Sequence, residues 1–367
     1  MTRMDAVDAI RLLVRLLRSD AQAIERRLQE RPDALEELSA VATDRGLAVV
    51  LLRALEASPW AGRISVERRR VLSERRERQA ARCVALERGL AQLSDVLGRA
   101  GVPFMLLKGP YLAARFYSNP RGREYRDLDL LVRRADRSRA FGLIEQAGYE
   151  RRSRVLVSEE LTAFFVHGFD FVAGDVNLDL HWCLARHPSV RIDEGELWKR
   201  KDTFRLGDRA FGVLSDAHEV TLQALALVRD IERGRPQMKN VVDLIQIVAA
   251  LDAGMPWDAL FAASRSEGTH GALVNVLALC LDIAAARDVA PRLAAALGRS
   301  ADRRVRSITP VFAQESSSAA VPRNRLWAAR SYDTSLATCL AWWAISLPFR
   351  RAAHGWPRPP ATVRSPA

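Results

Sequence analysis

Residues 123–132 read REYRDLDLLV, an apolar run interrupted by two carboxylates, Asp127 and Asp129. A strand turns alternate side chains to opposite faces. In that conformation Asp127 and Asp129 share one face, while Leu128, Leu130 and Val132 take the other and can enter a core. Taken alone, such a pair is either a solvated edge balanced by nearby arginines or part of a site. The stretch VNLDLHW at 176–182 weighs toward the site: Asn177, Asp179 and His181 share a face, and Val176, Leu178 and Leu180 oppose them. If the two strands are neighbours, three carboxylates converge. Such a cluster repels itself unless protons or cations compensate. Mg²⁺ takes hard oxygen ligands and keeps some of its waters. Two such ions can join a nucleotide's phosphates to an attacking hydroxyl.

Just upstream, FMLLKGPYLA at 104–113 reads as a buried strand, a turn and a helix start. Gly109 in that turn permits close backbone approach, and free amides at a helix N-terminus suit phosphate. Tyr125–Val132 reads as a strand and 136–147 as a helix closed by Gly148. HGFDFV at 167–172 meets VNLDLHW across Ala173–Gly174–Asp175, a plausible hairpin. Residues 98–205 therefore form a mixed α/β unit.

Outside it the chain is helical. Residues 1–97 carry apolar positions at helical spacing, and their arginine-rich part, RRRVLSERRERQAARC, reads as a solvated helix face. Residues 206–300 add further periodic helices, among them VTLQALALVRDIERG and NVVDLIQIVAALDAG. The remainder, 301–367, divides into a linker containing SSSAAVP within 305–328, an apolar helix and a disordered tail, GWPRPPATVRSPA. The apolar stretch SLATCLAWWAISLPF at 335–349 is too short to span a bilayer comfortably. It reads as a buried helix, with a membrane-surface helix as the alternative. The fold class expected is α+β: a small mixed sheet flanked by helical regions on both sides.

The formal net charge is +12, and only four of the basic residues are lysine: Lys108, Lys199, Lys201 and Lys239. An arginine- and alanine-rich bias of this kind can follow genome base content, so the charge is weak support for nucleic acid as a partner. It still attracts phosphates through its long-range field. Four scattered cysteines with no CxxC pair suggest neither a zinc site nor a secreted disulfide scaffold. A reducing, cytoplasmic location is expected, and the N-terminus lacks the pattern of a signal peptide.

FMLLKGPYLAARFY, REYRDLDLLV and VNLDLHW together resemble the uncharacterised nucleotidyltransferase family of the DNA polymerase beta-like nucleotidyltransferase superfamily. The resemblance covers roughly 98–250 and implies a glycine turn at Gly109, a paired acidic motif at Asp127 and Asp129, and a third acid at Asp179. It implies a Mg²⁺-dependent enzyme, with two ions plausible, that moves a nucleoside monophosphate from a nucleoside triphosphate, ATP foremost, to a hydroxyl. The acceptor, whether small molecule, protein or RNA, is left open. Asp127, Asp129 and Asp179 are the expected metal ligands and catalytic groups. His181 is a further catalytic candidate or a hydrogen-bonded core histidine. Lys108, Gly109 and Arg123 are the expected triphosphate contacts, with bracing of the aspartates as the other role for Arg123. The chain departs from the superfamily at Pro110, where serine or glycine is usual; proline suits a first helical turn but donates no amide. His218 matches a histidine-bearing helix of the family. Lys239 and Asp243 match a later helix, although an exposed i,i+4 ion pair is the simpler reading. A toxin-like transferase acting on RNA or protein is a rival enzyme reading. The alternative of another class is a non-catalytic nucleotide-binding or peptide-binding accessory protein of a biosynthetic pathway, which binds nucleotide without releasing pyrophosphate.

Overall fold

The computed structural model describes residues 4–117, 119–155, 157–234, 236–300 and 320–354. The expected tail at 355–367 and the linker up to residue 319 lie outside them. Five helices open the chain: α1 Ala6–Leu17, α2 Ala21–Glu30, α3 Ala34–Asp44, α4 Ala48–Glu56 and the long α5 Val66–Arg99. Ser65 caps α5 by accepting from the Arg68 amide. Along α5, Leu72, Cys83, Leu86, Leu90, Leu93 and Leu97 are buried. The other side carries Arg70, which pairs with Glu67 and Glu74 in exposed ion pairs. The arginine run is thus the solvated face its spacing predicts.

The α/β part runs β1 Phe104–Leu107, α6 Gly109–Phe116, β2 Asp127–Val132, α7 Arg137–Gln146, β3 Glu150–Arg151, α8 Glu159–Phe165, β4 Gly168–Ala173, β5 Val176–His181, α9 Glu194–Lys199, β6 Asp202–Leu206 and β7 Arg209–Val213. The strands form one seven-stranded mixed sheet in the order β3-β4-β5-β2-β1-β7-β6. The β4–β5 hairpin forms as expected, with Gly174 at φ 52°. The β6–β7 hairpin was not foreseen, although its Leu206–Gly207–Asp208–Arg209 turn carries a glycine at φ 63°. At the centre, β2 runs antiparallel to β1 and parallel to β5.

Both faces of the sheet are covered. Leu106, Leu128, Leu130, Val132, Leu178 and Leu180 enter the main core together with the leucines of α5. On the opposite face Met105, Leu107 and Leu131 join Leu184, Trp198 and Leu222 in a second, smaller cluster. Asp127 and Asp129 alternate with the core leucines, so they belong to this second face.

Helices return with α10 Asp216–Glu232, α11 Met238–Leu251, α12 Trp257–Glu267, α13 His270–Ile283, α14 Pro291–Arg299, α15 Ala320–Ser331 and α16 Leu336–His354. α1 packs on this group, and Arg11 Nε donates to the Ile283 carbonyl at 2.9 Å. Two expectations change here. The stretch 320–328, read as linker, is the greater part of helix α15. The apolar stretch 335–349 is helical but only part buried: Cys339 and Ser346 are enclosed, whereas Leu340 and Ile345 remain 53% and 57% exposed. Among the described residues no helix is long and apolar enough to cross a membrane.

Candidate active site

The site forms where β2 and β5 lie side by side. Their register sets Asp127 opposite Asn177, Asp129 opposite Asp179 and Leu131 opposite His181. Because the pair is parallel, the same-face residues of both strands project together. One ligand atom each from Asp129, Asp179 and His181 lies within 4.8 Å of the others. His181 Nε2 sits 3.0 Å from Asp129 Oδ1. Asp127 is not in that tight group but lines the same cavity, of about 710 Å³.

The carboxylates are electrostatically linked. Burial, followed by the charges of Asp170, Asp129 and Asp127, holds Asp179 well above the usual carboxylate range. Burial and then Asp129 also raise Asp127, against the pull of Lys239, Lys108 and Arg123. Asp129 behaves oppositely: burial works to raise it, but the His181 hydrogen bond, with Lys108 and Arg229, brings it down to about 2. An acid set that holds two of its members up by burial and then by mutual repulsion is a donor set suited to a hard divalent cation.

Asp170 was not foreseen. It stands on β4 directly across from Asp179. The strand HGFDFV carried it in view, but only the hairpin register shows that it faces the acids. Gly168 was also missed. A Cβ there would lie 2.8 Å from His181 Nδ1 and 2.9 Å from the Leu180 carbonyl, so glycine makes room for the imidazole. His167 stacks on His181 at 5.3 Å between ring centroids and is hydrogen-bonded to Arg229. We expect Gly168→Ala to displace the His181 ring and to lower turnover about tenfold or more. Steady-state kinetics beside a crystal structure of the variant checks this, and unaltered turnover would show that the His181–Asp129 contact is dispensable.

The turn after β1 borders the same cavity. Lys108 and Gly109 both have φ 39°, a left-handed value that is strained for lysine. At Gly109 a Cβ would stand 3.3 Å from the Asp127 carbonyl, so the missing side chain lets the turn press against the acidic strand. Pro110 falls in the first turn of α6, where its missing amide costs little.

Arg123 reaches the cavity wall, but its guanidinium is already engaged. Nε donates to Asp243 Oδ1 at 2.7 Å and Nη2 to Oδ2 at 2.6 Å, and the Tyr117 hydroxyl donates to Oδ1 at 2.6 Å. Arg123 and Asp243 are 3% and 0% exposed. Asp243 is therefore not half of a surface pair with Lys239. Lys239 instead lines the cavity and donates to the Glu124 carbonyl at 3.3 Å. Burial, with Arg123 next, pushes its ammonium down to about 8. His218 is not drawn into the site. It bonds Ser215 Oγ at 2.9 Å and lines a separate cavity.

Behind the turn, Glu219 of α10 is fully buried, with Oε1 accepting from Gln223 Nε2 at 2.7 Å and Oε2 lacking a hydrogen-bond partner among the described residues. Burial raises its carboxyl to about 7, against Gln223, Lys108 and Arg115. The unfolded chain loses this proton near the ordinary value of 4.5 while the folded chain keeps it. Stability held below pH 4.5 is thus lost as pH rises toward about 7. We expect Glu219→Gln to be more stable than wild type at pH 8, by up to roughly 3 kcal/mol, and to show little difference near pH 4.5. Urea unfolding at both values tests it, and an equal effect at the two would remove ionisation as the cause.

A cavity with a carboxylate cluster, a pressed glycine turn and two lysines suits a substrate rich in phosphate. Residues 32–285 match the family described as uncharacterised nucleotidyltransferase, and this chain belongs to that family. It is accordingly an enzyme of the nucleotidyl-transferring class. Among curated proteins none matches it significantly. Among solved structures, it is similar to the antibiotic-resistance factor ANT(2'')-Ia, at 16% identity and a TM-score of 0.35, over 48% of this chain and 89% of that one.

Proposed function

We propose that the chain moves a nucleoside monophosphate from a nucleoside triphosphate, ATP foremost, to a hydroxyl of an acceptor, with Mg²⁺ required. The observation that carries this reading is the meeting of Asp129, Asp179 and His181 within 4.8 Å beside the Lys108–Gly109 turn. Asp129 and Asp179 would hold the cation, with Asp127 as the third carboxylate. When bound, the ion supplies neutralisation of phosphate charge and helps ionise the acceptor hydroxyl.

The protein's own groups do the rest. Lys239 and Lys108 line the cavity with Asp127, and the charges of both reach it. They are placed to hold the outer phosphates, the role that Arg123 leaves to them by committing itself to Asp243. Arg123 then braces the segment entering β2. The acceptor oxygen attacks the α-phosphorus, a new O–P bond forms, and the bond to the β-phosphate oxygen breaks to release pyrophosphate. The acceptor proton passes to the carboxylate cluster. His181 holds Asp129 by its Nε2 contact, so one carboxylate keeps a fixed orientation. Most of the catalysis is positioning and charge stabilisation.

The test is direct. The purified protein, a labelled triphosphate, Mg²⁺ and a small-molecule extract should yield pyrophosphate together with a product heavier by one nucleoside monophosphate. Nucleotide binding with no pyrophosphate under any acceptor mixture would favour the accessory-protein reading instead.

A further inference from the structure

One wall of the carboxylate cavity is an unexpected one. It is built by α16, which lies outside the residues that match the family. Leu340, Trp343, Ala344 and Leu347 line the same cavity as Asp129 and Asp179. Their spacing of three, four and seven residues puts them on one stripe of the helix. A stripe like this normally meets protein. Here Leu340 and Leu347 stay 53% and 37% exposed, and Ala344 is exposed as well. The helix is nevertheless firmly held. Arg350 Nη1 pairs with Glu232 at 2.9 Å, Arg350 Nη2 donates to the Arg186 carbonyl at 3.2 Å, and Phe349 stacks on Phe165 at 4.2 Å.

A second observation points to a ligand. Ser346 is 0% exposed and borders the cavity, and its Oγ has no hydrogen-bond partner among the described residues. Trp343 Nε1 is buried and unpartnered in the same way. Buried polar atoms are almost always paired. Two such atoms beside an uncovered apolar stripe make a surface that is apolar in bulk with a few polar points, the usual composition of a small-molecule site. The cavity volume of about 710 Å³ also falls in the range of such sites.

We infer that α16 forms the acceptor subsite, and that the acceptor is a small amphiphilic alcohol whose aromatic or alkyl body lies on Leu340, Trp343 and Leu347 while its polar end faces the carboxylates. This rests on the transferase reading above, which supplies the need for a hydroxyl at the acids. The apolar body also explains why the stripe is left bare: water covers it until the acceptor displaces that water.

The experiment uses the full chain and three probes of one headgroup: methyl, hexyl and phenyl β-D-glucoside, each followed by saturation-transfer NMR titration. Hexyl and phenyl glucoside should bind at least tenfold more tightly than methyl glucoside. The double variant Leu340→Ser/Leu347→Ser should lose at least tenfold for those two, equivalent to about 1.4 kcal/mol. Because both leucines are substantially exposed, the variant should fold, and circular dichroism checks that it does. Equal binding of all three probes, or tight binding that survives the double substitution, would overturn the inference. ATP with Mg²⁺ is titrated in parallel. Loss of nucleotide binding in wild type with the hexyl and phenyl preference intact would remove the transferase reading and leave the apolar subsite standing.

Discussion

Replacing Asp129 by asparagine is expected to cut pyrophosphate release by about 10³-fold or more, roughly 4 kcal/mol in the barrier, while the protein stays folded. Asparagine keeps the shape of the side chain and an oxygen that can accept from His181, which now sits 3.0 Å from Asp129 Oδ1. What it removes is one negative charge from the cluster. That charge is favoured by the His181 hydrogen bond and by Lys108, whereas burial, followed by the neighbouring carboxylates, holds Asp179 well above the usual carboxylate range. Asp129 is thus the member of the set whose charged form its surroundings favour most. Stability should change little, because two effects oppose. Asp127 and Asp179 lose a like-charged neighbour, and Lys108 loses an attractive one. The checks are a pyrophosphate assay and a thermal melt on the same preparation. Residual activity within tenfold of wild type would contradict a central role for Asp129.

The largest effect on stability should come from Asp243. Its truncation to alanine leaves the Arg123 guanidinium charged, 3% exposed and stripped of both hydrogen bonds, and it leaves the Tyr117 hydroxyl unpaired. Breaking one partner of a buried pair typically costs about 3–5 kcal/mol. The pair need not be net stabilising for this to hold, since the desolvation of both ions is already included in the folded state. The double variant Arg123→Met/Asp243→Leu should therefore recover most of the loss. Urea unfolding of wild type, the single and the double variant tests this. A single substitution costing under about 1 kcal/mol would mean that water reaches Arg123 and that the pair is not sealed.

Much of the site could be read from alternation alone. The residues that oppose Asp127, Asp129 and Asp179 are leucines and valines, so a strand assignment fixed which side chains share a face without any tertiary information. The hairpin joining β4 and β5 was visible for the same reason. The contacts of Arg123 were not. Its partner lies 120 residues away, and no local pattern distinguishes an arginine aimed at phosphate from one aimed at a buried aspartate. Lys239 and Asp243 illustrate the opposite error. Their i,i+4 spacing fits a surface pair, yet the helix face that carries Asp243 turns inward against Arg123 and Tyr117. Gly168 and Asp170 were seen as parts of a strand, but their importance depends on pairing with His181 and Asp179.

What the amino-acid order determined by itself was local: two alternating strands with acids on one side, a glycine turn ahead of them, and helices before and after. Side-chain periodicity sets these features, and it acts over a few residues. Only the tertiary structure decided that β2 and β5 run parallel and adjacent, that His181 rather than Asp127 completes the tight group, and that α16 lines the cavity with an uncovered apolar stripe. Those outcomes depend on register and on burial between segments far apart in the chain. The free energy that selects them is that of apolar surface leaving water, which is nondirectional and leaves no signature in any single stretch.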